Sequence, residues 1–294
     1  MVETETQQWT IQRLLTWTTE YFQKSGRDSP RLAAEVLLAE ALGCPRIQLY
    51  TRFAEVPVEP QLGKFRSWVK RHAAGEPVAY LVGHREFYSL RFEVNSDVLI
   101  PRPETEMAIV VAIDALRDPK WSAKKVIDVG TGSGCIAVTL AKQIPDASIV
   151  AIDISDAALA VAKRNAERHG VSDRIDFIKS DLLQGLPSNT QVPVIISNPP
   201  YVGRNEVGTL EENVQKYEPE LALYGGELGT EITSRLIAEA APRLLPDGWL
   251  ILETSPMLAR QVKDIVDQSG HYACCEIKKD LSKQERLVVA RRKA

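Results

Sequence analysis

Ser197-Asn198-Pro199-Pro200-Tyr201 follows the apolar run Val192-Pro193-Val194-Ile195-Ile196 and stops it with an amide, two residues that lack an N–H, and an aromatic ring. The Asn198 side-chain oxygen and the Pro199 backbone carbonyl are two acceptors. A planar NH2 group entering between them donates one hydrogen to each, which aims its nitrogen lone pair in a single direction. Pro200 stiffens the turn and removes an N–H that would compete for those acceptors. Tyr201 offers a face on which a flat amide or base stacks. The chemistry this suits is attack by a planar amino group, whichever molecule carries it, on an electrophile held beside the turn. Taken alone, the same five residues would also serve as a plain strand stop.

Upstream, Val126-Ile127-Asp128-Val129 is an apolar strand carrying an acid, and it runs into Gly130-Thr131-Gly132-Ser133-Gly134. Alternate glycines let the backbone turn tightly and approach a ligand with no Cβ in the way. The dinucleotide fingerprint needs a glycine where Cys135 stands, and no phosphate-binding Lys-Ser/Thr pair follows, so the loop suits a nucleoside-type ligand without a pyrophosphate. The next apolar strand ends at Asp153, roughly twenty residues on, where a carboxylate accepts both ribose hydroxyls. By itself Asp153 would serve equally as a helix cap; behind the glycine loop the ribose role is favoured. A third strand ends in Asp181 and Leu182, placed for an adenine amine and ring. Together these strand ends point to S-adenosylmethionine as cofactor, with S-adenosylhomocysteine as product and Asn198 next to the sulfonium methyl.

The elements that must position these residues alternate along the chain. From Pro101 onward, apolar strands and helical stretches succeed one another to the final Arg286-Leu287-Val288-Val289 strand, which implies an α/β fold with a mainly parallel sheet covered by helices on both faces. Ligands of such sheets bind at the carboxyl ends of the strands. Residues 1–82 read instead as a small helical domain. Ile11, Leu14, Leu15, Thr18 and Phe22 recur at helical spacing; Ser29 is placed as N-cap before Pro30, with Gly43 as the stop; Leu62, Phe65, Trp68 and Val69 share a side of a third helix whose basic residues form a solvated face. Between the two, residues 83–100 alternate apolar and polar around Asn95-Ser96-Asp97, which predicts a hairpin linker turning there. The domain expectation is therefore 1–82, 83–100 and 101–294, with His84 structural.

At 294 residues with net charge −3, the chain is long enough for real cores and has no global pull toward nucleic acid. The four cysteines form no CxxC pair, so no structural zinc or other metal is expected and the thiols suit a reducing compartment. The N-terminus lacks a basic and apolar leader pattern, and no apolar stretch is long enough to span a bilayer, which leads to the expectation of a cytoplasmic protein with no membrane partner.

Nearly the whole chain resembles the protein glutamine N5-methyltransferases of the HemK/PrmC type, which act on peptide chain release factors in translation termination. The resemblance is carried by the helical N-terminal domain, by "REFYSLRFEVNSDVLIPRPETE", "DVGTGSG", "SNPPYV" and "YEPELALYGGELG", and by the terminal "KKDLSKQERLVVARR". It implies a class I S-adenosylmethionine-dependent methyltransferase fold, a substrate glutamine in a Gly-Gly-Gln loop, and an N-terminal domain that docks the release factor. It also implies Arg102, Pro103, Thr105 and Glu106 beside the cofactor pocket, Phe87 near the site of methyl transfer, and aliphatic packing of Leu182 on adenine. "NPPY" is shared with adenine N6 and guanine N2 amino-methyltransferases, so a nucleic-acid substrate is the alternative, although no direct nucleic-acid contact is required by the first reading.

Overall fold

The computed structural model describes residues 8–294; the first seven residues, and with them most of the N-terminal stretch expected to lack a leader pattern, lie outside the described residues. The chain divides into two compact units, the first ending at Gly83 and the second spanning His84–Ala294. The first is built of α1 (Ile11–Lys24), α2 (Pro30–Leu42), α3 (Gln48–Thr51), α4 (Glu59–Ala73) and α5 (Val78–Val82). Leu15, Phe22, Leu37, Leu38, Leu49 and Phe65 form its core. Thr10 caps α1 by accepting from the Arg13 amide at 3.3 Å. Ser29 stands at the N-cap of α2 as expected, but its backbone is left-handed at φ 47° and its side chain makes no cap hydrogen bond. Pro30 presets the first helical φ there, and the start is held by the Ala33 amide donating to the Ser29 carbonyl at 3.0 Å.

In the second unit a hairpin, β1 (His84–Phe87) and β2 (Leu90–Glu93), leads into α6 (Glu106–Leu116). The alternation continues as β3 (Lys124–Val129), α7 (Cys135–Gln143), β4 (Ala147–Asp153), α8 (Asp156–Arg168), β5 (Ile175–Lys179) and β6 (Val192–Ser197). After a short excursion through β7 (Val202–Gly203), α9 (Glu212–Tyr217), α10 (Glu220–Leu223) and β8 (Tyr224–Gly226), it resumes with α11 (Glu231–Ala240), β9 (Leu244–Glu253), α12 (Ala259–Gln268), β10 (Tyr272–Lys279) and β11 (Glu285–Arg292). The main sheet has seven strands in the order β10-β11-β9-β6-β3-β4-β5. β9, β6, β3, β4 and β5 run parallel; β11 is antiparallel to both its neighbours, β9 and β10, so it alone is reversed in the sheet. Side chains alternate across it as a pleat requires. Val126, Val194, Ile196 and Ile251 pack under α6, α7 and α8, whereas Ile127, Ile195, Leu250 and Leu252 pack under α11 and α12. Since β3 to β5 are laid down on one side and β6 and β9 on the other, the strand order switches between β3 and β6, which opens a crevice at their carboxyl ends.

The hairpin turns at Tyr88-Ser89, not at Asn95-Ser96-Asp97. Phe87 pairs with Leu90, and Tyr88 and Ser89 have φ of 50° and 60°, the two positive values of a type I′ turn. Tyr-Ser carries none of the Asn-Gly signature of that turn, and a tertiary contact stands in for it: the Tyr88 amide donates to Glu106 Oε1 at 2.8 Å. Asn95 instead makes a local turn by accepting from the Asp97 amide at 2.9 Å. The hairpin is built into the second unit. Phe87 and Phe92 lie in its core, and Asn165 of α8, fully buried, accepts from the Glu93 amide and donates to the Glu93 carbonyl.

Candidate active site

The crevice is a cleft of about 550 Å³ at the ends of β3, β4, β5 and β6. Gly130, Gly132 and Gly134, with φ of 72°, 55° and 78°, carry the chain from β3 into α7. The loop is tied down from below. The Gly130 and Thr131 amides both donate to the Ile152 carbonyl at 2.8 Å, and Asp128 accepts from the Thr131 hydroxyl at 2.7 Å and the Ala137 amide at 3.2 Å. Burial pushes the Asp128 carboxyl up to about 7. Asn165 adds a tie from the side, donating to the Ser133 carbonyl at 2.8 Å, so one buried amide joins hairpin, α8 and glycine loop.

Asp153 ends β4 on the cleft wall. Its Oδ2 accepts from the Gly132 amide and its Oδ1 from the Ser155 amide, each at 2.9 Å, and burial raises its pKa. The helix-cap role falls to Ser155, whose hydroxyl accepts from the Ala158 amide at 3.2 Å. Beyond β5, Asp181 and Leu182 also line the cleft. The Asp181 carboxylate is half-exposed and ion-paired to Arg235 at 2.8 Å, while Leu182 is held at φ 49°.

Asn198 leaves β6 into the same cleft, and the Ser197 hydroxyl donates to the Val129 carbonyl at 2.7 Å to lock the two strand ends together. A glycine-rich segment, Tyr224-Gly225-Gly226-Glu227-Leu228-Gly229, clamps the turn that follows. A Cβ on Gly225 would lie 2.5 Å from the Pro200 carbonyl oxygen, and one on Gly229 would collide with that of Tyr201, so only glycine permits this main-chain approach. Arg102 and Thr105 complete the wall. Arg102 is aimed by Glu218, which is buried, bonds the guanidinium at 2.5 Å and accepts the Ile100 amide at 3.2 Å. Asn198 Nδ2 lies 3.4 Å from the Thr105 hydroxyl.

The cleft thus gathers Gly130, Thr131, Gly132, Ser133, Asp153, Asp181, Leu182, Asn198, Pro200, Arg102 and Thr105. It does not gather Gly134, Pro199, Tyr201, Glu106 or Phe87. Gly134 sits against Ala162 of α8, where a Cβ would come within 3.0 Å of the alanine Cβ. The Pro199 ring is buried. Tyr201 is partly buried against the core under α11 and α12, and burial pushes its phenol up to about 12. Glu106 holds the hairpin turn. Phe87 is 1% exposed against Phe92, because the inward face of β1 belongs to the core. Glu218, Asn165 and the glycine clamp act at the site without having been picked out as site residues. Three glycines in five residues were the visible signal for the clamp; Glu218 and Asn165 carry no local signal.

A sheet in this order, with ligand-lining loops at its parallel strand ends and a closing antiparallel pair, is the class I methyltransferase architecture. The hMettl16 catalytic domain solved with an RNA hairpin shares it at a TM-score of 0.57 and 17% identity, covering 76% of this chain and 81% of that one. Residues 13–83 match the family described as PrmC N-terminal domain, and residues 110–228 match the Methyltransferase small domain. The release factor glutamine methyltransferase of Rhodopirellula baltica is 47% identical over 282 residues, 95% of each chain, and that of Bacillus subtilis 36% identical over 285 residues, 96% of this chain and 97% of its own. The chain belongs to the release factor glutamine methyltransferase family.

Proposed function

We propose that this enzyme transfers a methyl group from S-adenosylmethionine to the side-chain amide nitrogen of a glutamine in peptide chain release factors. The observation that carries the reading is that the Asn198 turn shares one cleft with the glycine loop and Asp153, in a chain that matches a release factor enzyme over 95% of its length. The residues present fit the cofactor. Gly130 supplies the left-handed φ of 72° that the turn out of β3 needs, and its Cα side faces the Asn198 carbonyl oxygen, so loop and turn border the same space. Each Asp153 oxygen already holds one backbone N–H and retains acceptor capacity for a ribose diol. Leu182 and the half-exposed Ile154 offer aliphatic surface for adenine.

When bound, S-adenosylmethionine supplies a methyl group on a positively charged sulfur that leaves as a neutral thioether. The chain has to present a poor nucleophile, since an amide nitrogen shares its lone pair with its carbonyl. In this reading Asn198 Oδ1 accepts one amide hydrogen in the cleft, and the second falls to the main-chain carbonyl of Pro199, whose ring is buried behind the cleft wall; two acceptors would return electron density to nitrogen and fix the direction of its lone pair. Among the described residues no histidine or lysine lines the cleft. None is required, because a methylated amide that still carries both hydrogens is a strong acid and loses one to water. Docking of the protein partner is assigned to the helical first unit, whose residues 13–83 match the PrmC N-terminal domain.

Methyl transfer from labelled cofactor to purified release factors, ribosomal RNA and DNA tests the reading. Labelling of a release factor, abolished when the glutamine of its Gly-Gly-Gln loop is replaced, is expected. Labelling of RNA or DNA alone, or undiminished labelling of the replaced factor, would overturn it in favour of a nucleic-acid amino group or another residue.

A further inference from the structure

We propose that Arg235 and Glu239 of α11 are positioning residues that set the selectivity of the cleft for the 6-amino group of adenine, by holding the turn after β5 in a conformation it would not adopt alone. The inference rests on the reading that the cleft binds S-adenosylmethionine with its adenine against Leu182. Leu182 itself points to it, as a cleft residue with a Cβ and yet a φ of 49°. The left-handed region is unfavourable for any residue other than glycine, and such a backbone persists only where its surroundings over-determine it.

The surroundings do so from two sides. Within the turn, the Gln184 amide donates to the Asp181 carbonyl at 3.3 Å and the Gly185 amide to the Ser180 hydroxyl at 2.7 Å. A Cβ on Gly185 would lie 2.8 Å from that hydroxyl oxygen, so the turn closes against a position that only glycine fits. From outside, α11 grips the same residues. Glu239 accepts from the Leu183 amide at 3.0 Å and from the Gln184 side-chain amide at 3.3 Å, and Arg235 donates to Asp181 Oδ2 at 2.8 Å. Arg235 also lies 3.7 Å from Glu239, so the two side chains brace each other. Ile232, one helical turn before Arg235, lines the cleft; Ile232, Arg235 and Glu239 therefore form a row along one face of the helix.

The grip bears on the ligand through Asp181. A surface aspartate otherwise turns among its rotamers, and the pairing with Arg235 engages Oδ2 and fixes the carboxylate plane, leaving Oδ1 to accept at the cleft wall. An oriented, ionised acceptor suits the exocyclic amine of adenine, which can only donate there, and gains nothing from a purine without that amine. Arg235 and Glu239 are not among the residues lining the cleft, so both act through the turn. Arg235 and Asp181 are each about half-exposed, and an ion pair of that kind adds little to the stability of a fold. Its loss should therefore be read in the ligand and not in the melting of the protein.

Calorimetry on the full chain, with S-adenosylhomocysteine and with its analogue lacking the purine 6-amino group, tests the proposal, and thermal melting follows the fold. Wild type should bind the adenine compound at least roughly 10-fold more tightly, the scale of one hydrogen bond to a charged group. Arg235→Ala and Glu239→Ala should each lower that ratio at least roughly threefold, by weakening the adenine compound while the analogue stays within about twofold, and Arg235→Ala should leave the melting temperature little changed. Arg235→Lys keeps the charge and should recover part of the ratio. In an Asp181→Ala background Arg235→Ala should change the ratio no further, because the arginine acts through that carboxylate. An unchanged ratio in either α11 variant, both compounds weakened alike, a tighter adenine compound in Arg235→Ala, or a further effect of Arg235→Ala without Asp181 would overturn the proposal; should Glu239→Ala fail to fold, Arg235→Ala decides. Wild-type protein that binds neither compound would overturn the cofactor reading and this inference with it, whereas a wild type that binds both equally overturns the inference alone.

Discussion

Asp153 and Asn198 stand on one cleft and are read by different measurements. Asp153 sits at the loop end, where its oxygens are held by the Gly132 and Ser155 amides. Asp153→Ala removes acceptors for a diol and should weaken S-adenosylmethionine binding by about 1.5–3 kcal/mol, the scale of hydrogen bonds to a charged group. Calorimetry checks this, and unchanged affinity in a folded variant would take Asp153 out of the site. Asn198→Ala leaves the glycine loop and Asp153 untouched, so cofactor affinity should move by less than about threefold while single-turnover rate falls roughly 100- to 1,000-fold, as when one preorganised polar partner of a reacting group is lost. Asn198→Asp keeps an acceptor oxygen but has no NH2 group for Thr105 and adds a charge. It should be faster than Asn198→Ala if acceptance is the role, and no faster if the amide donor is what matters.

Among the elements, the short β7 and β8 pair has a role out of proportion to its length, because its glycines press on the Pro200 and Tyr201 main chain. Gly225→Ala puts a Cβ 2.5 Å from the Pro200 carbonyl oxygen and 2.6 Å from that of Gly229, so main chain must shift. A displaced turn should cost roughly tenfold or more in turnover with cofactor affinity retained, since methyl transfer depends on placement at the sub-ångström level; parallel loss of cofactor affinity would mean that the clamp supports the whole cleft. What was legible beforehand follows the range of the interactions. β3 and β6 could be read because Val126-Ile127-Asp128-Val129 and Val192-Pro193-Val194-Ile195-Ile196 are buried on both faces, and the glycine loop, Asp153 and Asn198 because their chemistry is local to those strand ends. α6 was missed: Met107-Ala108-Ile109-Val110-Val111-Ala112-Ile113 has no polar face to give a helical period. The hairpin turn was misplaced because a glutamate eighteen positions away holds it. Glu218 meets Arg102 across 116 positions and Asn165 meets Glu93 across 72, so neither pairing has a signature within a sequence window.

For the whole molecule, the two acids shut inside the second unit make its stability depend on pH. Asp128 and Glu253 are 0% and 1% exposed, and burial pushes both from ordinary values of 3.8 and 4.5 up to about 7. Between those limits the native state keeps a proton that the unfolded chain has already released, so each acid lowers stability as pH rises from about 4 to about 7 and adds no further slope above it. At 1.36 kcal/mol per pH unit the penalty from Glu253 is on the order of 3 kcal/mol once the pH exceeds 7. Glu253→Gln removes the charge and keeps the shape. It should therefore be more stable than wild type at pH 8 by on the order of 2–3 kcal/mol, with the difference shrinking toward pH 5, where the native glutamate is already neutral. Urea unfolding of both proteins at the two pH values measures this, and a difference that does not change with pH would mean that Glu253 titrates as an ordinary carboxylate. A gain in stability at pH 8 accompanied by a loss of turnover would identify the carboxylate as a group held for function at the expense of the fold. A gain without that loss would leave its cost to the molecule with no return in catalysis.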